Sequence, residues 1–256
     1  METDGSLINT DDFADEGWDY NPGRYAWKPD PEKYPPEFRH LFQEGPLMEI
    51  NSLDDLNEAF SRFYSDLFYH RIPDRVFEVD NSLSGLEARY SIDERKVRIS
   101  RDMKDAILSS QSKLKGNVPL TIEEERAIKN LWHEIIHGQT PVYGVLPGWE
   151  HTVMETFVET LARTTYGRFI EYLGYPITRL NHTNTLLFDS YGRPEAGKLI
   201  RNLTNYESNF DLIIRALGET VRGYPEYKWF DVFKKKLEII IGEDNAREVL
   251  NDVFML

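Results

Sequence analysis

The sequence predicts a mainly helical α+β protein, on three observations. Apolar residues recur at helical spacing through most of the chain from Ser52 onward. The period switches to two over residues 86–99, where Leu86, Ala88, Tyr90 and Ile92 alternate with polar neighbours, as do Val97 and Ile99. Helix-starting and helix-ending residues bracket the periodic segments, as the elements in order show.

Residues 1–46 are irregular, with Pro22, Pro29, Pro31, Pro35, Pro36 and Pro46 among acidic residues and aromatics. They read as a linker, or as an arm that docks on a partner through Trp18, Tyr20, Tyr25 and Trp27. The remainder, 47–256, reads as one domain. A helix is expected from Ser52 to about Tyr69, with Ser52 as N-cap and Leu53, Leu56, Phe60, Phe63, Tyr64 and Leu67 on one face. The alternating segments form a β-hairpin turned at Asp93-Glu94-Arg95. A helix follows from Arg101 to Leu114, ended by Gly116 and the Asn117–Pro119 loop.

The next helix opens on a capping box, Thr121 with Glu124, and Glu123 and Glu125 add charge suited to its positive end. Ile128, Leu131, Trp132, Ile135 and Ile136 form its buried side, so the helix reads as amphipathic and half-buried, and Gly138 ends it. After a loop closed by Pro147-Gly148, a long helix runs from about Glu150 to Leu173. A metal core of about 86–182 is then followed by a C-terminal helical subdomain of about 195–256, punctuated by Gly218, Gly223, Pro225 and Gly242.

Composition removes several function classes. The net charge of −14 repels a nucleic-acid backbone. The one dense basic run, Lys234-Lys235-Lys236, reads as a solvated helix face. Cysteine is absent, so disulfides, thiolate nucleophiles and cysteine-ligated zinc are excluded, and any metal is held by nitrogen and oxygen. No apolar run approaches the ~20 residues that span a bilayer. The first residues lack the basic start and apolar centre of a signal peptide, and an intracellular location is the expected default.

The chemistry is named by His133-Glu134-Ile135-Ile136-His137, an H-E-x-x-H sequence. Histidines four apart share a helix face, one turn from each other, so both imidazoles can hold one metal ion. The glutamate between them points at the remaining coordination position. The alternative without function is a helix with two internally satisfied histidines and a surface glutamate. Zinc needs a third protein ligand. A third histidine six residues beyond His137 is excluded, because Tyr143 stands there. The following helix offers Glu155 and Glu159, 18 and 22 residues beyond His137 and one turn apart. One can bind metal while the other accepts the second N–H of a zinc histidine. Glu155 is taken as ligand and Glu159 as its support, with the reverse left open. His151, one turn before Glu155, is a rival ligand. Glu134 is expected to take the proton of a zinc-activated water and pass it to the leaving amine. Tyr143, Tyr166, Tyr175, Arg179 and His182 are near enough in sequence to be considered as oxyanion donors, and none is singled out.

The helix pair, over about residues 119–175, resembles the gluzincin side of the zincin metallopeptidases. In that family a glutamate ligand is often followed four residues later by an acidic residue supporting a zinc histidine, as Glu155 and Glu159 are arranged. The resemblance implies a small sheet beside the metal helix, with substrate at its edge. A second resemblance lies in Asp15-Glu16-Gly17-Trp18-Asp19-Tyr20-Asn21-Pro22-Gly23 and Trp27-Lys28-Pro29-Asp30. These look like the closing segment of Mu F-type phage minor head (head morphogenesis) proteins. Leu131-Trp132-His133-Glu134, Met154-Glu155-Thr156 and Ala162-Arg163 resemble metallopeptidase-like modules joined to such proteins in prophages. The resemblance implies the end of a minor head protein or a split partner of one, virion-associated or in the host cytoplasm. Phage head or portal proteins are its implied partners, through the arm.

The leading expectation is a zinc-dependent peptidase of prophage origin acting on a protein or peptide. The alternative is a non-enzymatic head-associated protein whose metal site is structural or decayed. A metal-dependent nuclease is disfavoured by the charge and by the lack of an aspartate cluster.

Overall fold

The computed structural model describes residues 77–91, 94, 96–115, 118, 120–138, 148–172 and 194–255, together with Ser52 and Asp55. The expected arm, most of the expected 52–69 helix, and Tyr143, Tyr175, Arg179 and His182 lie outside them. Within that stretch, the Asp55 N–H donates to Ser52 Oγ at 3.2 Å.

The protein is α+β and mainly helical. A three-stranded sheet contains β1 (Phe77–Val79), β2 (Ala88–Ser91) and β3 (Lys96–Ile99), in the order β1-β3-β2. β2 and β3 form the expected antiparallel pair, with Tyr90 opposite Val97 and Ala88 opposite Ile99. β1 was not anticipated. It runs parallel to β3, pairing Phe77 with Val97, and is too short to show a period. Alternation sends Val97 and Ile99 into the core, while Arg98 stays on the outer face with Glu94 and Asp80.

Helix α1 (Arg101–Lys115) starts at Ser100, whose Oγ accepts the Met103 N–H at 3.0 Å. Helix α2 (Ile122–Gly138) starts at the capping box, and both of its bonds are made. Glu124 N–H donates to Thr121 Oγ1 at 3.2 Å, and Thr121 N–H donates to Glu124 Oε2 at 2.7 Å. Glu124 also receives Ser109 Oγ and Lys113 Nζ, which ties α2 to α1.

Helix α2 is not half-buried. Besides its apolar side, Glu124, Glu125, Lys129, Asn130, His133, Glu134 and His137 are all buried. The amphipathic pattern misleads here because the polar face packs against other elements that supply partners. Gly138 is the last residue of α2, as expected, but it is not in the left-handed conformation. A Cβ there would stand 3.2 Å from Cε2 of Tyr90, so the glycine admits the ring.

Helix α3 (Gly148–Tyr172) is buried almost without interruption from Val153 to Tyr166. Against it lie α4 (Pro194–Thr204), α5 (Phe210–Gly223) and α6 (Trp229–Ile241), and α7 (Glu243–Phe254) closes the bundle. Phe157 of α3 meets Phe233 at 5.0 Å and Phe254 at 6.1 Å between ring centres. One hydrophobic cluster runs from Phe77 to Val253. Gly223 and Gly242 fall at helix ends as expected, but Gly218 does not punctuate. It lies buried inside α5, where α5 faces Leu161 of α3. Lys234 and Lys236 lie at the surface of α6, paired with Glu238 and Glu219, and Lys235 is exposed. Helix α3 is thus a shared wall, with α2 on one side and the C-terminal helices on the other.

Candidate metal centre

Residues four apart stack along a helix, so Lys129, His133 and His137 form one row on α2, and Glu155, Glu159 and Arg163 form one on α3. The rows face each other in opposite directions. His137 and His133 meet Glu155, His133 also meets Glu159, and Lys129 and Arg163 meet Glu159.

His133 Nε2 and His137 Nε2 lie 3.1 Å apart. Glu155 Oε2 is 3.4 Å from His133 Nε2, and Oε1 is 3.5 Å from His137 Nε2. The three residues are buried, and their ligand atoms lie within 4.8 Å of one another. They can hold a metal ion. A tetrahedral ion bound at about 2.0–2.1 Å separates its ligand atoms by about 3.3–3.4 Å. The three contacts, at 3.1, 3.4 and 3.5 Å, lie near that edge length, with the two carboxylate contacts made by different oxygens of Glu155. Two imidazoles and a carboxylate also form a donor set suited to zinc.

Glu159 occupies the other nitrogen of His133. His133 Nδ1–H donates to Glu159 Oε2 at 2.7 Å, which keeps a proton on Nδ1 and turns Nε2 toward Glu155 and His137. Glu159 Oε1 accepts Arg163 Nε–H at 2.8 Å and Lys129 Nζ at 2.5 Å. His151 is half exposed, with Nε2 3.7 Å from Glu155 Oε1, at the rim of the cluster. Tyr166 is buried in the core.

Glu134 is buried on the α2 face that meets β2. Its Oε2 accepts the Tyr90 main-chain N–H at 2.7 Å. One turn earlier on that face, Asn130 Nδ2 donates to the Leu86 carbonyl at 3.2 Å. One turn later, Gly138 admits the Tyr90 ring. The β2 edge not paired with β3 therefore lies along α2 at the middle of the motif.

Burial and charge oppose each other throughout the site. Burial disfavours a charged His133, yet hydrogen bonds and charge from Glu155 and Glu159 outweigh it and push the group up to about 9. Burial raises Glu155, and its bonds to His133 and His137 reverse that and carry it far below the usual carboxylate range. Glu159 is likewise held well down against burial, by the charges of Lys129 and Arg163. Burial lowers Lys129, partly offset by Glu159.

Sequence reasoning missed Lys129 and Asn130, and assigned no role to Arg163. Lys129 and Arg163 carried a readable signal, a charge one helical turn from His133 and from Glu159 on faces that must be buried. The Tyr90 N–H had none, because a main-chain donor is invisible in a pattern of side chains. No protein-family model, curated protein or solved structure was found to match the chain. Among the described residues, no helix is long and apolar enough to cross a membrane.

Proposed function

We propose that the chain is a zinc-dependent metallopeptidase-like hydrolase that cleaves peptide bonds, with His133, His137 and Glu155 holding the metal. The observation that carries this reading is the buried convergence of the ligand atoms of those three residues, with Glu159 on the far nitrogen of His133. When bound, the metal supplies a Lewis acid that polarises the scissile carbonyl and lowers the pKa of water. In this reading Glu134 acts as the general base. Tyr90 N–H holds its Oε2, and Oε1 takes a proton from the attacking water. Water adds to the carbonyl carbon, the C–N bond breaks, and Glu134 returns the proton to the departing amine nitrogen. A free carboxylate and a free amine result. Glu159 keeps the proton of His133 on Nδ1 throughout.

The phage or prophage origin, a head or portal partner, and a location in the host cytoplasm or the virion rest on the sequence resemblance of the arm and of the two site helices. A second reading, a non-enzymatic head-associated protein with a structural metal site, draws on the burial of all four motif and ligand side chains. The test is hydrolysis of a mixed peptide library by the wild-type protein and by Glu134→Gln, with zinc content measured on both. Turnover by the wild type alone, at equal zinc, supports the peptidase. Equal activity in both overturns Glu134 as the base, and no activity in a zinc-loaded wild type favours the second reading.

A further inference from the structure

Two cations are buried beside one carboxylate at the base of the site. Lys129 and Arg163 come from different helices, and both reach Oε1 of Glu159, while Oε2 of the same carboxylate receives His133 Nδ1–H. All four side chains are buried almost completely. Charges are rarely taken out of water in this way, and an apolar pair of similar volume would pack the same space at least as stably. Supporting His133 needs only one acceptor oxygen, so two cations on the other oxygen exceed that requirement.

We infer that Lys129 and Arg163 are positioning residues that pin Glu159 behind His133 and keep it from acting as a metal ligand. The inference rests on the metal-site reading above. Glu155 and Glu159 are one turn apart on α3, both carboxylates, and both within reach of His133. Sequence spacing does not decide between them. The cations do, because an ionised Glu159 that turned toward the metal would leave Lys129 and Arg163 buried without it. Glu155 lies against the three histidines, His133, His137 and His151. The division of labour between the two glutamates is thus set one turn below the metal, at positions 129 and 163. Held on His133 Nδ1, Glu159 would not serve as a further ligand to a bound ion.

The test is a double-mutant cycle on the full-length protein, using Lys129→Met, Glu159→Gln and the two together. Zinc affinity is read by chelator competition, and coordination by the absorption spectrum of the cobalt-loaded protein. Lys129→Met alone is expected to weaken zinc by about ten- to a hundredfold and to change the cobalt spectrum as Glu159 gains access to the ion. In the Glu159→Gln background the same change is expected to leave both readouts alone, since no carboxylate remains to pin. If Lys129→Met does not fold, the comparison of Glu159→Gln with the double variant, which buries no unpaired carboxylate, still decides. A difference between those two in affinity or spectrum overturns the inference. So does a folded Lys129→Met protein with wild-type affinity and spectrum and only a lowered melting temperature, which marks an ion pair serving stability. A wild-type protein that binds neither zinc nor cobalt overturns the metal-site reading itself.

Discussion

The main-chain N–H of Tyr90 donates to Oε2 of Glu134 at 2.7 Å, across 44 residues of sequence. The bond joins the edge of the sheet to the middle of the metal helix, and it sets where the carboxylate stands. A shorter acid at the same position keeps the charge and loses the place. Glu134→Asp should therefore lower kcat by about a hundredfold or more while zinc content stays at the wild-type level. Wild-type turnover in that variant would show that the position held by Tyr90 is irrelevant to the chemistry.

Gly138 tests the same contact from the other side. A Cβ there meets the Tyr90 ring at 3.2 Å, so a branched side chain must push that ring aside. Gly138→Val is expected to destabilise the protein by about 1–3 kcal/mol and to lower kcat through Glu134. Adding Tyr90→Ala should recover part of the stability. Denaturant unfolding of the single and double variants measures this, and strictly additive losses would rule the contact out as the cause.

The capping box anchors the start of α2. Thr121→Ala removes the Oγ1 acceptor for the Glu124 N–H and is expected to cost about 1 kcal/mol, which lowers Tm by about 2–4 °C in a domain of this size. Glu124→Ala should cost more, because Thr121 N–H, Ser109 and Lys113 lose their acceptor together. Calorimetry that ranks the two variants the other way contradicts this account.

In the metal-free protein His133 is pushed up to about 9, from an ordinary value of 6.5. A folded value above the unfolded one makes the protonated form stabilising. That contribution, on the order of 3 kcal/mol, is complete below pH 6.5 and is lost as pH rises through about 9. The same proton competes with a metal, so zinc affinity runs the other way and tightens over that window. Melting temperatures in a chelator should fall between pH 6.5 and about 9 while competition titrations show stronger binding. A chelated protein that gains stability over that range is incompatible with the charge arrangement described.

Much of this site was legible because its parts are local. His133 and His137 declare themselves by spacing, and Thr121 with Glu124 marks the helix start three residues apart. Glu155 and Glu159 were found by reading one helix further on. Which of them faces both histidines depends on how α2 crosses α3, which no spacing encodes. The sheet was half legible: alternation marked β2 and β3, whereas three-residue β1 carries no period. The amphipathic reading of α2 failed for a single physical reason. Lys129, Asn130 and Glu134 look solvated until their partners, Glu159, the Leu86 carbonyl and the Tyr90 N–H, are brought to them by the fold. Gly218 failed as a helix end because a glycine buried within α5 reads in sequence like one that stops a helix.

The central claim is that His133, His137 and Glu155 hold one metal ion. Its most direct test is elemental analysis of the purified full-length protein beside His137→Ala, after equilibration with zinc and removal of weakly bound metal. The account predicts one zinc per wild-type chain and a loss of most of it in His137→Ala with the fold retained. A wild-type protein free of zinc, or a His137→Ala protein that keeps it, contradicts the account.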